Sequence, residues 1–429
     1  MREKKSLDEF LANINDGKAV FLSLSPQSRA SFAVHFGLSP LQAFQKLTAF
    51  FKSLGVKAVY DTSCSRDLAL AECCHEFISQ YEASESADEN SRKSSLPMIS
   101  AACPGWICYA EKTLGSFVLP YISSVKSPQH LKPNWSFVQQ TRGYIPCKVM
   151  PCYDKKLEAA MISPFLFNLK ENLTAMQMIT EVDSVSKSGE VLELMQLKSV
   201  DLSSLEDSLL DRPLKNVSDK GHLYGVYGGS GGYGDTVFCY AAKTLFGREF
   251  EGPLNYTIVR NTDFQEVSLE FIYIFYANRY FPVEFLCLYL PHFYHMHFEE
   301  SGDCLGGQCM LLLQFLELMD SSKFALCYGF RNLQNIVRKN KTGKCDNHFL
   351  EVMACPSGCL NGWGQIKPRP GKTAKDLIQS LETAYLENVL ITNPFDNPIM
   401  KQIYEEWLGR PGSDKNKEFL YTQYHLIEV

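Results

Sequence analysis

At 429 residues, with 45% apolar and 21% charged side chains, the chain is long enough to bury more than one hydrophobic core and too apolar for a disordered tail or a fibre. A formal net charge of -6 with no dense Lys/Arg tract argues against a nucleic-acid backbone or an anionic membrane as the main partner. The amino terminus, MREKKSLDEFLANINDG, is charged and lacks the apolar run of a secretory signal, which points to the cytosol, with the nucleus as a further possibility. Fifteen cysteines in a reducing compartment are expected as thiols or metal ligands rather than disulfides.

In chain order, KAVFLSLSP reads as a buried strand ending at Pro26, and SPLQAFQKLTAFFKSLG as an amphipathic helix capped by Ser39 and stopped by Gly55. VKAVYDTS is a second strand. Strand, crossover helix and strand predict a parallel pair with a right-handed connection. Residues 67–82 read as another helix, with Cys73 and Cys74 in the core and Glu72 and Glu76 on a solvated face, and the Ser/Glu-rich stretch 83–95 reads as a loop. LPMISAACPGW and CKVMPCYDKKLEAAM each run a buried strand into a turn bearing a cysteine, Cys103 and Cys152. Ligand sites of open parallel sheets gather at such strand ends. Residues 188–220 are polar with helical stretches, 221–235 are Gly-rich, and DTVFCYAAKTLFG restarts a helix.

FIYIFYANRYFPVEFLCLYL at 271–290 has the apolar content of a membrane span, but Asn278, Arg279, Pro282 and Glu284 fall in its middle, so no membrane partner is expected. Residues 271–322 are expected to be an atypical insert between the strands VSLE and KFALCYGF. His292, His295, His297, Cys304 and Cys309 lie within it and obey no zinc spacing. KFALCYGFRNLQNIVRK is a strand running into a helix, and HFLEVMACPSGCLNGWGQ a strand running into a cysteine-bearing turn. The tail from 371 is helical in DLIQSLETAYLE and MKQIYEEWLG, and no internal repeat is evident.

CPSGC at 355–359 is the sharpest chemical signal: C-x3-C with Gly358 allowing a tight turn lets two thiolates face one ion or cluster. By itself such a pair is equally a zinc half-site, a redox pair or two inert thiols. Together with Cys103 and Cys152 it supplies four soft donors at strand ends, a set suited to a [4Fe-4S] cluster or a structural zinc. Structural zinc usually takes its ligands as two close pairs, whereas Cys103, Cys152 and Cys355 lie 49 and 203 residues apart, which favours a cluster between lobes. Cys108, Cys147, Cys239 and Cys327 have no partner at ligand spacing and read as small buried hydrophobes. Residues 229–234, Gly-Ser-Gly-Gly-Tyr-Gly, satisfy G-x-G-x-x-G formally but follow a poor strand, GHLYGVY, and are expected as a backbone turn near the cluster rather than a dinucleotide site.

LPMISAACPGW, MPCYDKKLE and EVMACPSGCLNGWGQ resemble, in order, the three signature segments of iron-only hydrogenases. They resemble still more closely the non-hydrogenase relatives of those enzymes, the nuclear prelamin A recognition factor-like proteins of cytosolic iron-sulfur assembly. SVKSPQ at 124–129, the Gly-rich turn, YGFRNLQN at 328–335 and IYEEWLGRPGSDKNKEFLYTQYH at 403–425 extend the resemblance over most of the chain, except 271–322 and roughly 130–145.

The resemblance implies an α/β fold of two lobes, each a mostly parallel sheet flanked by helices, with the cluster at the lobe interface. Residues 1–143 would form the first lobe, with Cys103. Residues 144–370 would form the second, with Cys152, Cys355 and Cys359, and 371–429 a C-terminal helical segment. Those four cysteines would hold the cubane, in an adaptor or carrier that delivers clusters to apoproteins alongside targeting proteins of the assembly system. In a hydrogenase the residue before the first ligand is a proton-donating cysteine; here it is Ala102, whose methyl group relays no proton. An active hydrogenase is therefore the disfavoured alternative, and a truncated, cluster-free product a third. Lys155 keeps the position that contacts a diiron ligand in hydrogenases, or is simply exposed or ion-paired. The family's second, amino-terminal cluster needs cysteines upstream of the first strand, whereas the first cysteine here is Cys64, so that module is either missing or lies upstream of Met1. The family often ends in an aromatic docking residue, and the ending LIEV calls that contact into question.

Overall fold

The computed structural model describes residues 7–86, 96–100, 102–130, 144–160, 162–169, 173–180, 182–211, 216–276, 279–282 and 319–424. Its strands in chain order are β1 (Ala19–Leu24), β2 (Ala58–Asp61), β3 (Met98–Ser100), β4 (Tyr144–Met150), β5 (Ile162–Leu169), β6 (Leu173–Thr180), β7 (Ser184–Lys187), β8 (Leu223–Gly225), β9 (Thr257–Asn261), β10 (Phe264–Tyr276), β11 (Arg279–Pro282), β12 (Met319–Tyr328), β13 (Phe349–Met353) and β14 (Val389–Ile391).

The first sheet has the order β2-β1-β4-β7 and is parallel throughout. Along β1, Val20, Leu22 and Leu24 alternate inward and meet Phe32, Phe44, Leu47, Phe50 and Phe51 from the helices Pro26–Phe36 and Pro40–Ser53. Each such side chain withdrawn from water contributes about 1.5–3 kcal/mol. The second of these helices begins at the expected Ser39, whose hydroxyl accepts the Gln42 N–H while the Gln42 side chain accepts the Ser39 N–H. The helix Pro26–Phe36 is an addition to the sequence reading. Pro26, taken there as the end of a strand, is the first helical residue, with Ser25 as its cap.

The second sheet runs β11-β10-β12-β13-β3, with β9 against β10. It is parallel at β12-β13-β3 and antiparallel around β10, so only the part carrying cysteine turns follows the parallel pattern. The segments VSLE and KFALCYGF do pair, with Val267 opposite Phe324. Phe77 from the helix Ser63–Ser86 and Phe238 from the helix Tyr233–Phe246 close on Phe324, at 5.4 and 5.2 Å between ring centres. A hairpin, β5-β6, and a short parallel pair, β8-β14, complete the strands.

Sheet membership interleaves along the chain. β3, which leads to Cys103 and was expected in a first lobe, lies in the second sheet, and β4, which leads to Cys152, lies in the first. The sheets therefore do not divide at residue 143, because parallel neighbours are joined through crossovers rather than in sequence.

Helices Ala374–Leu386, Pro398–Ile403 and Asp414–Leu420 form the tail. Met400, Ile403, Leu408 and Leu420 join the core around the helix Ser63–Ser86. Glu72 lies at the centre of this contact. Its carboxylate is fully buried and accepts from Tyr404 Oη (2.7 Å), Asn416 Nδ2 (2.9 Å), Tyr421 Oη (3.0 Å) and the Gly412 N–H (3.1 Å). Glu76 accepts from the hydroxyls of Ser123 and Ser124. The solvated face expected for this pair is thus an acceptor surface turned to the rest of the protein, with Glu72 buried and Glu76 half-buried.

Cys73, Cys74, Cys147 and Cys327 are buried as expected, and Cys108 and Cys239 are half-buried. Among the described residues no helix is long and apolar enough to cross a membrane, and residues 271–276 and 279–282 of the apolar stretch are strand. His292, His295, His297, Cys304 and Cys309 lie outside the described residues.

Candidate metal centre

The four cysteines sit on three turns at strand ends. Cys103 follows β3, caps the helix Pro104–Tyr109, and its sulfur accepts the Ala354 N–H at 3.3 Å, so the approach to Cys355 already touches it. Cys152 follows β4, with its thiol 3.8 Å from the Asp154 carboxylate. Cys355 and Cys359 form the turn after β13, closed by the Gly358 N–H on the Cys355 carbonyl at 3.2 Å. Ser357 and Gly358 are both left-handed there, at φ 56 and 70. A Cβ on Gly358 would stand 2.5 Å from Ser230 Oγ, so the turn admits only glycine at this point.

Cys103 and Cys152 are buried, and Cys355 and Cys359 half-buried. Burial pushes all four thiols up, Cys355 to about 12. After burial, Cys359 is raised by Cys103, Cys152 and Cys355 together, and Cys103 raises Cys152 and Cys355 as well. The turns that carry them touch, through the Ala354 N–H on the Cys103 sulfur and the Gly364 N–H on the Pro151 carbonyl at 2.8 Å, beside Cys152. A cation bound among such thiols would ionise them and release their protons. Among the described residues no three His, Cys, Asp or Glu side chains meet closely enough to hold a single metal ion.

Lys155 borders this place in a buried ion pair rather than as an exposed side chain. Its ammonium donates to Glu158 Oε2 at 2.8 Å, to the Ala102 carbonyl at 2.9 Å and to Ser127 Oγ at 3.4 Å. Burial alone would raise Glu158, but Lys155 and His130 outweigh it and hold the carboxyl below its ordinary range.

The Gly-rich turn lies against the cysteine turn rather than opening a dinucleotide site. Ser230 Oγ accepts the Cys359 N–H at 3.0 Å, and a Cβ on Gly231 would stand 1.6 Å from Glu351 Oε1. The preceding β8 has only three residues. Glu351, in the middle of FLEVM, escaped the sequence reading because nothing in a buried strand pattern marks an acid. It accepts from the Gly234 N–H at 2.7 Å and from Tyr328 Oη at 2.8 Å. Burial raises its carboxyl to about 7, and the neighbouring Asp235 adds to the rise.

Residues 18–277 and 312–363 match the family described as iron only hydrogenase large subunit, C-terminal domain, which spans all four cysteines. This chain belongs to the iron-only hydrogenase-like family. Residues 383–426 match the iron hydrogenase small subunit, and the part left unmatched between the two large-subunit segments falls inside the expected insert. The chain is 50% identical to Protein NAR1 of Arabidopsis thaliana over its whole length and 82% of that protein. It is 40% identical to the cytosolic Fe-S cluster assembly factor narfl of Danio rerio over 96% of this chain and 87% of that one, which places it with the assembly branch expected from the signature segments. Its fold is that of the [FeFe]-hydrogenase HydA1 of Chlamydomonas reinhardtii, with a TM-score of 0.73 over 99% of both chains at 22% identity.

Proposed function

We propose that this family member binds one [4Fe-4S] cluster through Cys103, Cys152, Cys355 and Cys359 and acts in the cytosol as an adaptor or carrier in iron-sulfur protein assembly, with targeting proteins and apoprotein clients as partners. The observation that carries the reading is the contact among three separate strand-end turns that bear the four cysteines, with the Ala354 N–H 3.3 Å from the Cys103 sulfur and the Gly364 N–H 2.8 Å from the Pro151 carbonyl beside Cys152. A zinc ion would need its sulfurs all at about 2.3 Å from one point. No three such donors gather around a single point among the described residues, whereas a cube takes each thiolate on a separate iron. The bound cluster would supply electron storage or a transferable iron-sulfur unit. The chain's part is to hold it, keep water from it, and place Lys155 beside Cys103 and Cys359 as a fixed positive charge.

Hydrogen turnover is not part of this reading. At the position before Cys103 stands a methyl group, and the Lys155 ammonium next to it is committed to Glu158 and to a backbone carbonyl. Anaerobic reconstitution with iron and sulfide tests the assignment. About four irons per chain and broad absorption near roughly 400 nm are expected, both lost in the Cys355→Ser/Cys359→Ser double variant. A double variant that keeps the full iron content and spectrum refutes the ligand set.

A further inference from the structure

Trp363 stands 89% exposed on the loop that leaves the Cys355–Cys359 turn. A large apolar ring held in water is an unusual cost for a surface position. The loop that carries it is not loose. The Gly362 N–H donates to the Cys359 carbonyl at 3.1 Å, the Gly364 N–H to the Pro151 carbonyl at 2.8 Å, and the Gly364 carbonyl accepts the Gly189 N–H at 3.0 Å. Both neighbours of the tryptophan are thus tied to backbone, so covering the indole would order little further chain.

The surroundings give the surface a charge. Lys187, ion-paired with Glu190 at 3.3 Å, runs past Gly364, where a Cβ would meet its Cγ at 2.9 Å, and its ammonium reaches 5.6 Å from the ring centre of Tyr153, itself 38% exposed. Beyond the tryptophan, Lys367, Arg369, Lys372 and Lys375 are all exposed, and the first acid after them is Asp376. None of the three lysines forms an ion pair among the described residues. Four exposed cations in nine residues contrast with a net charge of -6 for the whole chain.

We propose that Trp363 and the basic stretch 367–375 form a docking surface for an acidic segment of a partner protein, which lays an apolar side chain on the indole and its carboxylates along the cations. The indole is the anchor and the cations set orientation and encounter rate. A protein partner fits better than a nucleic acid, because four cations neutralise few phosphates while the rest of the acidic chain repels a polyanion. The surface goes beyond the cluster assignment and stands without it, since it rests on exposure, backbone anchoring and charge.

The test uses the full chain against an array of short synthetic peptides that vary net charge and the presence of one central leucine or phenylalanine, with a fluorescent single-stranded oligonucleotide in parallel. Binding is expected only to acidic peptides bearing the apolar residue, with a blue shift of indole emission. Trp363→Ala should weaken binding at least about tenfold, Trp363→Phe should recover part of it, and Lys367→Glu/Lys372→Glu should weaken it and flatten its salt dependence. An unchanged circular dichroism spectrum for Trp363→Ala confirms that folding is intact. The proposal is overturned if Trp363→Ala binds acidic peptides as well as the parent chain or if no charge class is preferred. It is equally overturned if the oligonucleotide binds more tightly than any peptide, or if the only effect of Trp363→Ala is to abolish self-association in light scattering.

Discussion

The Lys155 ammonium lies 2.9 Å from the carbonyl oxygen of Ala102, the residue immediately before Cys103. Glu158 holds it there at 2.8 Å, with both side chains 9% exposed. Removing one partner of such a pair leaves a charge in low dielectric, whereas replacing both with apolar groups does not. Lys155→Met should lower unfolding stability by about 3–5 kcal/mol in urea titrations. Lys155→Met/Glu158→Leu should recover most of that loss. A double variant as unstable as the single one would show that the lysine stem, not its charge, is what the site needs.

Glu72 joins the helix Ser63–Ser86 to the tail through acceptors for Tyr404, Gly412, Asn416 and Tyr421. Glu72→Ala strands these donors in a buried place, each unsatisfied group costing about 1–3 kcal/mol. The expected result is tail release before global unfolding: amide exchange over residues 404–421 should accelerate while that of β1 and β4 stays protected. Uniform acceleration across both sheets would show instead that the tail is not a separate cooperative unit.

How legible these features were depends on how local their causes are. The Ser39–Gln42 cap, the strand ahead of each cysteine and the Gly358 turn are written within a few residues, and each was readable. The helix Pro26–Phe36 was not. Seven of its residues are buried, Pro26 and Ser28 through Ala33, so it lacks the polar face that would reveal a period. Glu72 misled for another reason, because its partners lie more than 300 residues away and a glutamate in a helix carries no mark of them. Sheet membership of β3 and β4 was hidden likewise, since the hydrophobic pattern of a buried strand does not say which sheet it enters.

Glu351 gives the fold a pH dependence of unusual sign. Burial raises its folded carboxyl to about 7 from the ordinary 4.5, so the folded state holds a proton that the unfolded chain has already lost. The corresponding stability is complete below about 4.5 and disappears as pH rises through about 7, a contribution on the order of 3 kcal/mol. Asp235 is raised in the same direction by burial, which lengthens the acidic arm of the effect. Glu351→Gln keeps an oxygen for the Gly234 N–H and an amide for Tyr328 Oη. Subtracting its stability profile from that of the parent chain between pH 5 and pH 8 should leave a downward slope, and a flat difference would remove Glu351 as the cause.

Gly358 tests whether the cysteine turn is shaped by its own backbone or by what it binds. At φ 70 an L side chain is disfavoured by about 1–2 kcal/mol, and its Cβ would also press on Ser230 Oγ at 2.5 Å and Met353 Sδ at 3.0 Å. Because Ser230 also receives the Cys359 N–H, it cannot move away without releasing that bond. Gly358→Ala should therefore misplace Cys359 relative to Cys355 while leaving both sheets folded. Reconstituted iron per chain should fall to a minor fraction, with circular dichroism unchanged. Full iron loading in Gly358→Ala would mean that the turn relaxes around its metal, and that the left-handed conformation is not a condition of the site.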